Sequence, residues 1–162
     1  MEIVKDFTGK CWKGGNTDEF IILHATGSSE ATTLNDILRF LRLSNFVSCH
    51  YVIGKRGEIV QMVREEDRAW HAGSSWWKGK SNLNNYSIGI ESLSDNKTFN
   101  DWQRDSVIWL CRNIMKRNKI PPHKVLRHKD IAPKRKVDVS DAFLNGRWRN
   151  WSDFQMALVR KS

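Results

Sequence analysis

Phe20-Ile21-Ile22-Leu23-His24 is a run of four apolar residues that stops at a histidine. A short continuous apolar run predicts a strand buried on both faces, as in the interior of an α/β sheet. The flanking sequence supports that class. Thr32 or Thr33 can cap a helix in which Leu34, Ile37, Leu38 and Leu41 share one face. His50 to Ile53, the turn Gly54-Lys55-Arg56-Gly57, and Glu58 to Val63 predict a hairpin. Ser87-Ile88-Gly89-Ile90-Glu91 alternates and predicts a further strand, with Ile88 and Ile90 on one face and Ser87, Gly89 and Glu91 on the other. A long helix capped by Asn100 or Asp101 is expected to run to about Asn118, where Pro121-Pro122 prevents its continuation. A short segment near Val125-Leu126 leads to His128, and Trp151 to Val159 again has helical spacing. Strands interleaved with helices, plus one hairpin, predict an α/β fold: a mixed central β-sheet flanked by helices.

The chain has 162 residues, which suits a single domain over 1–162, with a core expected from about 18 to 160. Its hydrophobic fraction of 40% is enough for a packed interior and argues against disorder. No apolar run approaches the roughly 20 residues of a membrane span. Met1 to Lys10 lacks the basic start and apolar block of a classical signal peptide, so synthesis in the cytoplasm is expected. The three cysteines, Cys11, Cys49 and Cys111, are scattered and odd in number, which fits small buried thiols better than a disulfide framework or a four-cysteine zinc site. The net charge of +9 favours anionic partners, either nucleic acid or a phosphate- or carboxylate-bearing envelope. No helix-turn-helix, zinc-finger or single-strand stacking signature accompanies it, so no specific nucleic acid is expected.

The chemistry concentrates in Leu126-Arg127-His128-Lys129-Asp130-Ile131-Ala132-Pro133-Lys134-Arg135-Lys136-Val137-Asp138. A loop of this length, stiffened by Pro133, can fold back and bring His128 and Asp138 to one metal ion, although a solvated basic loop has the same composition. His24, at the end of an apolar strand, fits a hydrogen-bonded core histidine or a functional group at a strand end. Together, two histidines and a carboxylate make a three-ligand set with a fourth position open, the form of a catalytic zinc site.

Several blocks extend this reading: Ile22-Leu23-His24-Ala25-Thr26, Val47-Ser48-Cys49-His50-Tyr51-Val52-Ile53, Gly57-Glu58-Ile59-Val60-Gln61, Arg68-Ala69-Trp70-His71-Ala72-Gly73, Asn85-Tyr86-Ser87-Ile88-Gly89-Ile90-Glu91 and Arg127-His128-Lys129-Asp130-Ile131-Ala132-Pro133. In this order, from about Phe20 to Phe143, they resemble the zinc-dependent N-acetylmuramoyl-L-alanine amidases of the second type, which include muropeptide amidases, phage endolysins and peptidoglycan recognition proteins. The resemblance implies one zinc ion bound by His24, His128 and Asp138, with Glu91 and Lys136 as the catalytic pair. The residues agree. Gly89 is expected to leave room beside Glu91 for a metal or substrate. In an extended segment Lys136 shares a face with Asp138, while Arg135 points elsewhere, toward substrate. Trp70 and His71 are expected in the substrate groove, His71 having as its alternative a place as a fourth neighbour of the metal site, which the spacing does not demand, and His50 is read as structural.

The resemblance has departures. Cys49 stands where some relatives have tyrosine, so no phenol assists there and Glu91 carries more of the reaction. Asp138 stands where others use cysteine. Recycling relatives carry arginines for the peptide carboxylates about where this chain has Phe46 and Asn82. Peptidoglycan or a muropeptide is the implied partner. A phage-type endolysin, monomeric and reaching the wall without a signal peptide, is the expectation. A cytosolic anhydro-muropeptide amidase and a non-catalytic binding module are the alternatives. Among the eight tryptophans, Trp102 and Trp109 are expected in the core, and Trp12, Trp148 and Trp151 fit either core or sugar contact. Trp76-Trp77 is expected on an exposed loop, touching wall glycan or membrane, or packed beneath it.

Overall fold

The computed structural model describes residues 1–160. Ten strands and four α-helices follow in the order β1 (Ile3–Lys5), β2 (Cys11–Trp12), β3 (Phe20–Ala25), α1 (Leu34–Leu43), β4 (Tyr51–Ile53), β5 (Ile59–Gln61), β6 (Arg68–Ala69), β7 (Trp76–Trp77), β8 (Lys80–Ser81), β9 (Ser87–Ser92), α2 (Asp101–Asn118), β10 (Val125–Arg127), α3 (His128–Ile131) and α4 (Trp151–Ala157). Six strands form the central sheet in the order β1-β5-β4-β9-β3-β10. Only the β4–β5 hairpin is antiparallel; the other neighbouring pairs are parallel. The sheet is therefore mixed, as expected. It begins earlier in the chain than residue 18, because β1 adds an edge strand beside β5.

Alternation along the strands sends residues to two layers. Ile21, Leu23, Ile88 and Ile90 pack against Val107, Leu110, Cys111 and Ile114 of α2, together with Phe143, Trp148 and Phe154 from the C-terminal segment. Phe20, Ile22 and Leu126 point to the other face, where Ala72, Leu83 and Ile131 cover them. A smaller cluster seats Leu38 and Leu41 of α1 on Val52, Val60 and Met62. Each fully buried Ile or Leu contributes about 1.5–3 kcal/mol, so these layers fix the positions of the strand ends. The parity has a functional consequence. His24 and Glu91 lie on the face away from α2.

Both main helices start where side chains satisfy their first amide groups. Thr33 and Asp36 form a capping box on α1, and Asn100 and Gln103 form one on α2. Lys119, in the left-handed conformation, ends α2 ahead of the prolines. Trp109 packs against the main core, but Trp102 is 71% exposed, contrary to expectation. It sits in the first turn of α2, off the stripe formed by Val107, Leu110 and Ile114. Trp148 is buried and Trp151 packs against the same core. Trp76 and Trp77 form a small hairpin with β8; Trp77 packs inward, while Trp76 is 60% exposed. Cys49 and Cys111 are buried, Cys11 is half-buried, and all three are free. Among the described residues no helix is long and apolar enough to cross a membrane.

Candidate active site

Three adjacent parallel strands end at one place. His24 of β3 lies directly opposite Glu91 of β9. Arg127, the last residue of β10, pairs with Leu23, so His128 emerges beside His24. Ligand sites in α/β sheets form at such carboxyl ends. The loop after α3 then returns: Lys129 N–H donates to the Asp138 carbonyl at 2.5 Å, which brings the Asp138 side chain back over the histidines.

The ligand atoms of His24, His128 and Asp138 all lie within 4.8 Å of one another. His24 Nδ1 is 2.9 Å from His128 Nδ1, and Asp138 Oδ2 is 3.2 Å from His128 Nδ1 and 3.7 Å from His24 Nδ1. The outer nitrogens are held from behind. His24 Nε2 lies 3.0 Å from His71 Nδ1, and His128 Nε2 lies 3.3 Å from the Ala72 carbonyl. A carbonyl only accepts, so His128 donates to it from Nε2 and turns Nδ1 inward, toward His24 and Asp138. Burial, then the neighbouring His128, His71, Lys136 and Arg135, push the His24 pKa well below its ordinary value, so this ring is neutral. Burial raises the Asp138 carboxyl, but its hydrogen bond to His128 and the backbone amide of Ala25 outweigh that and leave it below the usual range. Two imidazole nitrogens and a carboxylate converging on one point are the donor set of a divalent-cation site, and two histidines with one carboxylate suit zinc with an open coordination position.

Glu91 stands next to this set. Its Oε2 is out of contact with solvent and has no hydrogen-bond partner among the described residues. Burial first, and then the Asp138 charge, push its pKa up to about 8, with Lys136 opposing them. Lys136 thus bears on both Glu91 and His24. Burial and the nearby Glu91 also raise the Cys49 thiol, so this cysteine lies within reach of the Glu91 charge.

The other site expectations are placed as follows. His71 is not a groove residue: it is 5% exposed and lies behind His24. The room that Gly89 provides is filled by the His71 ring, which a Cβ at position 89 would strike, and not by metal or substrate. Trp70 is half-buried with its edge toward Trp12, at 5.6 Å between ring centroids. Arg135 lines an open groove of about 620 Å³ with Trp76, Trp77 and Pro133. Its guanidinium donates to the carbonyls of Ala72 at 2.8 Å and Ser74 at 3.0 Å, so it braces the 72–74 loop. His50 is structural: Nδ1 accepts from Gly89 N–H at 2.9 Å, and Nε2 meets the Asp67 carbonyl at 3.0 Å. The Ala72 carbonyl was not foreseeable, because a backbone group carries no signature in sequence.

A family profile described as N-acetylmuramoyl-L-alanine amidase matches residues 14–141. The chain belongs to this amidase family. Among similar proteins of the family is the 1,6-anhydro-N-acetylmuramyl-L-alanine amidase AmpD of Haemophilus influenzae, 42% identical over 99 residues, which cover 60% of this chain and 54% of AmpD. The chain thus spans a little over half the length of the AmpD relatives it matches. The amidase AmiD from E. coli, solved with anhydro-N-acetylmuramic acid-L-Ala-D-gamma-Glu-L-Lys, superimposes with a TM-score of 0.75 at 28% identity, covering 90% of this chain and 59% of AmiD. A mutant endolysin from Bacillus subtilis shares the fold, with a TM-score of 0.68 at 24% identity over 90% of this chain and 98% of the endolysin.

Proposed function

We propose that this chain hydrolyses the amide bond between the lactyl group of N-acetylmuramic acid and L-alanine in peptidoglycan, with one zinc ion held by His24, His128 and Asp138. The observation that carries the reading is a three-ligand cation site beside an unpartnered carboxylate, Glu91, in a chain of this amidase family. When bound, zinc supplies Lewis acidity that makes hydroxide available near neutral pH and polarises the scissile carbonyl. Glu91, whose raised pKa suits proton transfer near neutrality, takes a proton from the attacking water and returns it to the departing L-alanine nitrogen. The Lys136 ammonium, whose charge reaches both Glu91 and His24, would stabilise the negative charge that develops on the carbonyl oxygen. Trp70 and Arg135 contribute to substrate contact, Arg135 by holding the wall of the Trp76–Trp77 groove.

The wall polymer is the proposed substrate and the cell wall the proposed place of action, in the manner of an endolysin. Phe46 and Asn82 support this choice, since neither offers a cation to a free peptide carboxylate. The net charge of +9 suits contact with an anionic envelope. A second reading, a soluble anhydro-muropeptide as substrate, is favoured by the names of the AmpD relatives. Incubation with intact sacculi, with and without a chelator, followed by mass spectrometry tests both. Stem peptides beginning at L-alanine, lost on chelation and restored by zinc, are expected from sacculi. Release from soluble anhydro-muropeptides alone selects the second reading. No cleavage of either by zinc-loaded protein overturns the proposal in favour of a binding module.

A further inference from the structure

We infer that Asn84 is a positioning residue whose single side-chain oxygen sets the orientation of both ligand histidines. The inference rests on the metal-site reading above and deepens it. Asn84 is buried in a 3-10 turn, Leu83–Asn85, just ahead of β9. Its Oδ1 accepts two backbone N–H groups, His71 at 3.0 Å and Ala72 at 2.7 Å. Two donors facing one atom identify that atom as the amide oxygen, since the NH2 group would meet them donor to donor. These two residues are the ones that hold the outer nitrogens. The His71 ring meets His24 Nε2, and the Ala72 carbonyl meets His128 Nε2. One oxygen therefore fixes two consecutive peptide units, and each peptide unit positions one ligand ring.

The proton directions along the network agree. Ser87 Oγ donates to the Leu83 carbonyl at 2.6 Å, leaving its lone pairs for His71 Nε2–H at 3.3 Å. His71 Nδ1 is then an acceptor, so His24 carries its proton on Nε2 and presents Nδ1 to the metal position. His128 is held in the same tautomer by Ala72. The turn itself is anchored by Leu83 N–H donating to Ser75 Oγ at 3.0 Å. Because it leads directly into β9, the clamp is built into the same segment that carries Glu91. Partners of this kind typically change metal affinity about 10–100-fold when removed.

The test compares Asn84→Ala with Asn84→Asp, which keeps acceptor oxygens at the same place. Zinc affinity is read by competition with a chromophoric chelator, and imidazole tautomers by long-range proton–nitrogen correlation spectra. Asn84→Ala is expected to lose about 10–100-fold in affinity and to show mixed tautomers at His24 and His128. Asn84→Asp is expected to stay within about threefold of the parent and keep both Nε2–H forms. Parental affinity and tautomers in Asn84→Ala overturn the inference. Should Asn84→Ala fail to fold, His71→Leu and His71→Asn test the same chain, the latter retaining an acceptor toward His24. Equal zinc affinity in that pair also overturns the inference. A parent protein that takes up no zinc defeats the metal-site reading instead, which separates the two failures.

Discussion

Glu65 and Glu91 are both largely withdrawn from water, yet the protein treats them in opposite ways. Glu65 accepts from Tyr51 Oη at 2.7 Å, Arg117 Nε at 2.9 Å and Asn118 Nδ2 at 2.9 Å, and pairs again with Arg117 Nη2. Burial raises its pKa, but these partners outweigh burial and leave it below the ordinary value. Glu91 has an oxygen with no partner and a pKa near 8. Glu65 is bound to a planar guanidinium in a fixed geometry, which suits a permanent anion. Glu91 has the Lys136 charge near it but no hydrogen-bond partner for its Oε2 among the described residues. A satisfied buried carboxylate ties the hairpin side of the sheet to α2; an unsatisfied one is free to change its protonation state, as the proposed function requires of Glu91. The difference separates a carboxylate built to hold from the one proposed to react.

The largest expected effect breaks the comparison if it fails. Glu91→Gln should reduce hydrolysis of sacculi about 10³-fold while zinc affinity stays within about threefold, because the general base is lost and the ligands remain. Glu65→Gln should leave turnover within about threefold. Comparable losses in the two variants, measured as initial rates of stem-peptide release, would mean that the unpartnered state of Glu91 has no catalytic meaning. Next in size is Lys136→Ala, expected to lower kcat about 10²-fold with little change in KM, as for a cation that acts on charge developing in the transition state. A change confined to KM would reassign Lys136 to ground-state binding.

The order reverses for stability. Glu65→Gln should destabilise the fold by about 2 kcal/mol in urea melts, since it leaves Arg117 half-buried without its anion. A loss under about 0.5 kcal/mol would place Glu65 among surface ion pairs of little consequence.

Much of this contrast was legible before any coordinates. The apolar runs at 20–23 and 87–91 identify the central strands because continuous burial leaves no other use for them. Strand parity alone places Glu91 opposite Ile88 and Ile90. His24, His128 and Asp138 stand together in the structure as the resemblance implied. What the sequence leaves hidden depends on contacts between distant segments. His71 sits one residue from Trp70, and its spacing does not decide between the groove and the metal-site neighbourhood, where its ring turns inward to His24. Asn84 lies in a turn of polar residues, where asparagine is common for backbone reasons alone. Trp102 lies outside the core because the Val107, Leu110 and Ile114 stripe runs off its face, where its helical neighbours are Asp105 and Ser106. The satisfaction of Glu65 is likewise invisible, since Arg117 and Asn118 reach it from α2 across more than fifty positions of chain.

The smallest expected effect sharpens the comparison most directly, because it isolates the energetic cost of leaving Glu91 unpartnered. In metal-free protein, a carboxyl whose folded pKa is about 8 binds its proton more tightly than the unfolded chain does. Between the ordinary carboxylate range and pH 8 the folded state therefore holds the extra proton, and stability falls as pH rises through that window. Glutamine cannot ionise, so Glu91→Gln removes this slope. In chelator, the stability of the variant relative to the parent should rise steadily from pH 5 to pH 8.5. His24 and His71, held neutral by burial, titrate in the opposite sense but are common to both proteins and cancel in the difference. A difference that stays flat with pH would show Glu91 to be as well accommodated as Glu65. A difference that grows with pH ties the destabilised carboxylate to the position proposed to carry the proton in catalysis, where stability is lost to reactivity.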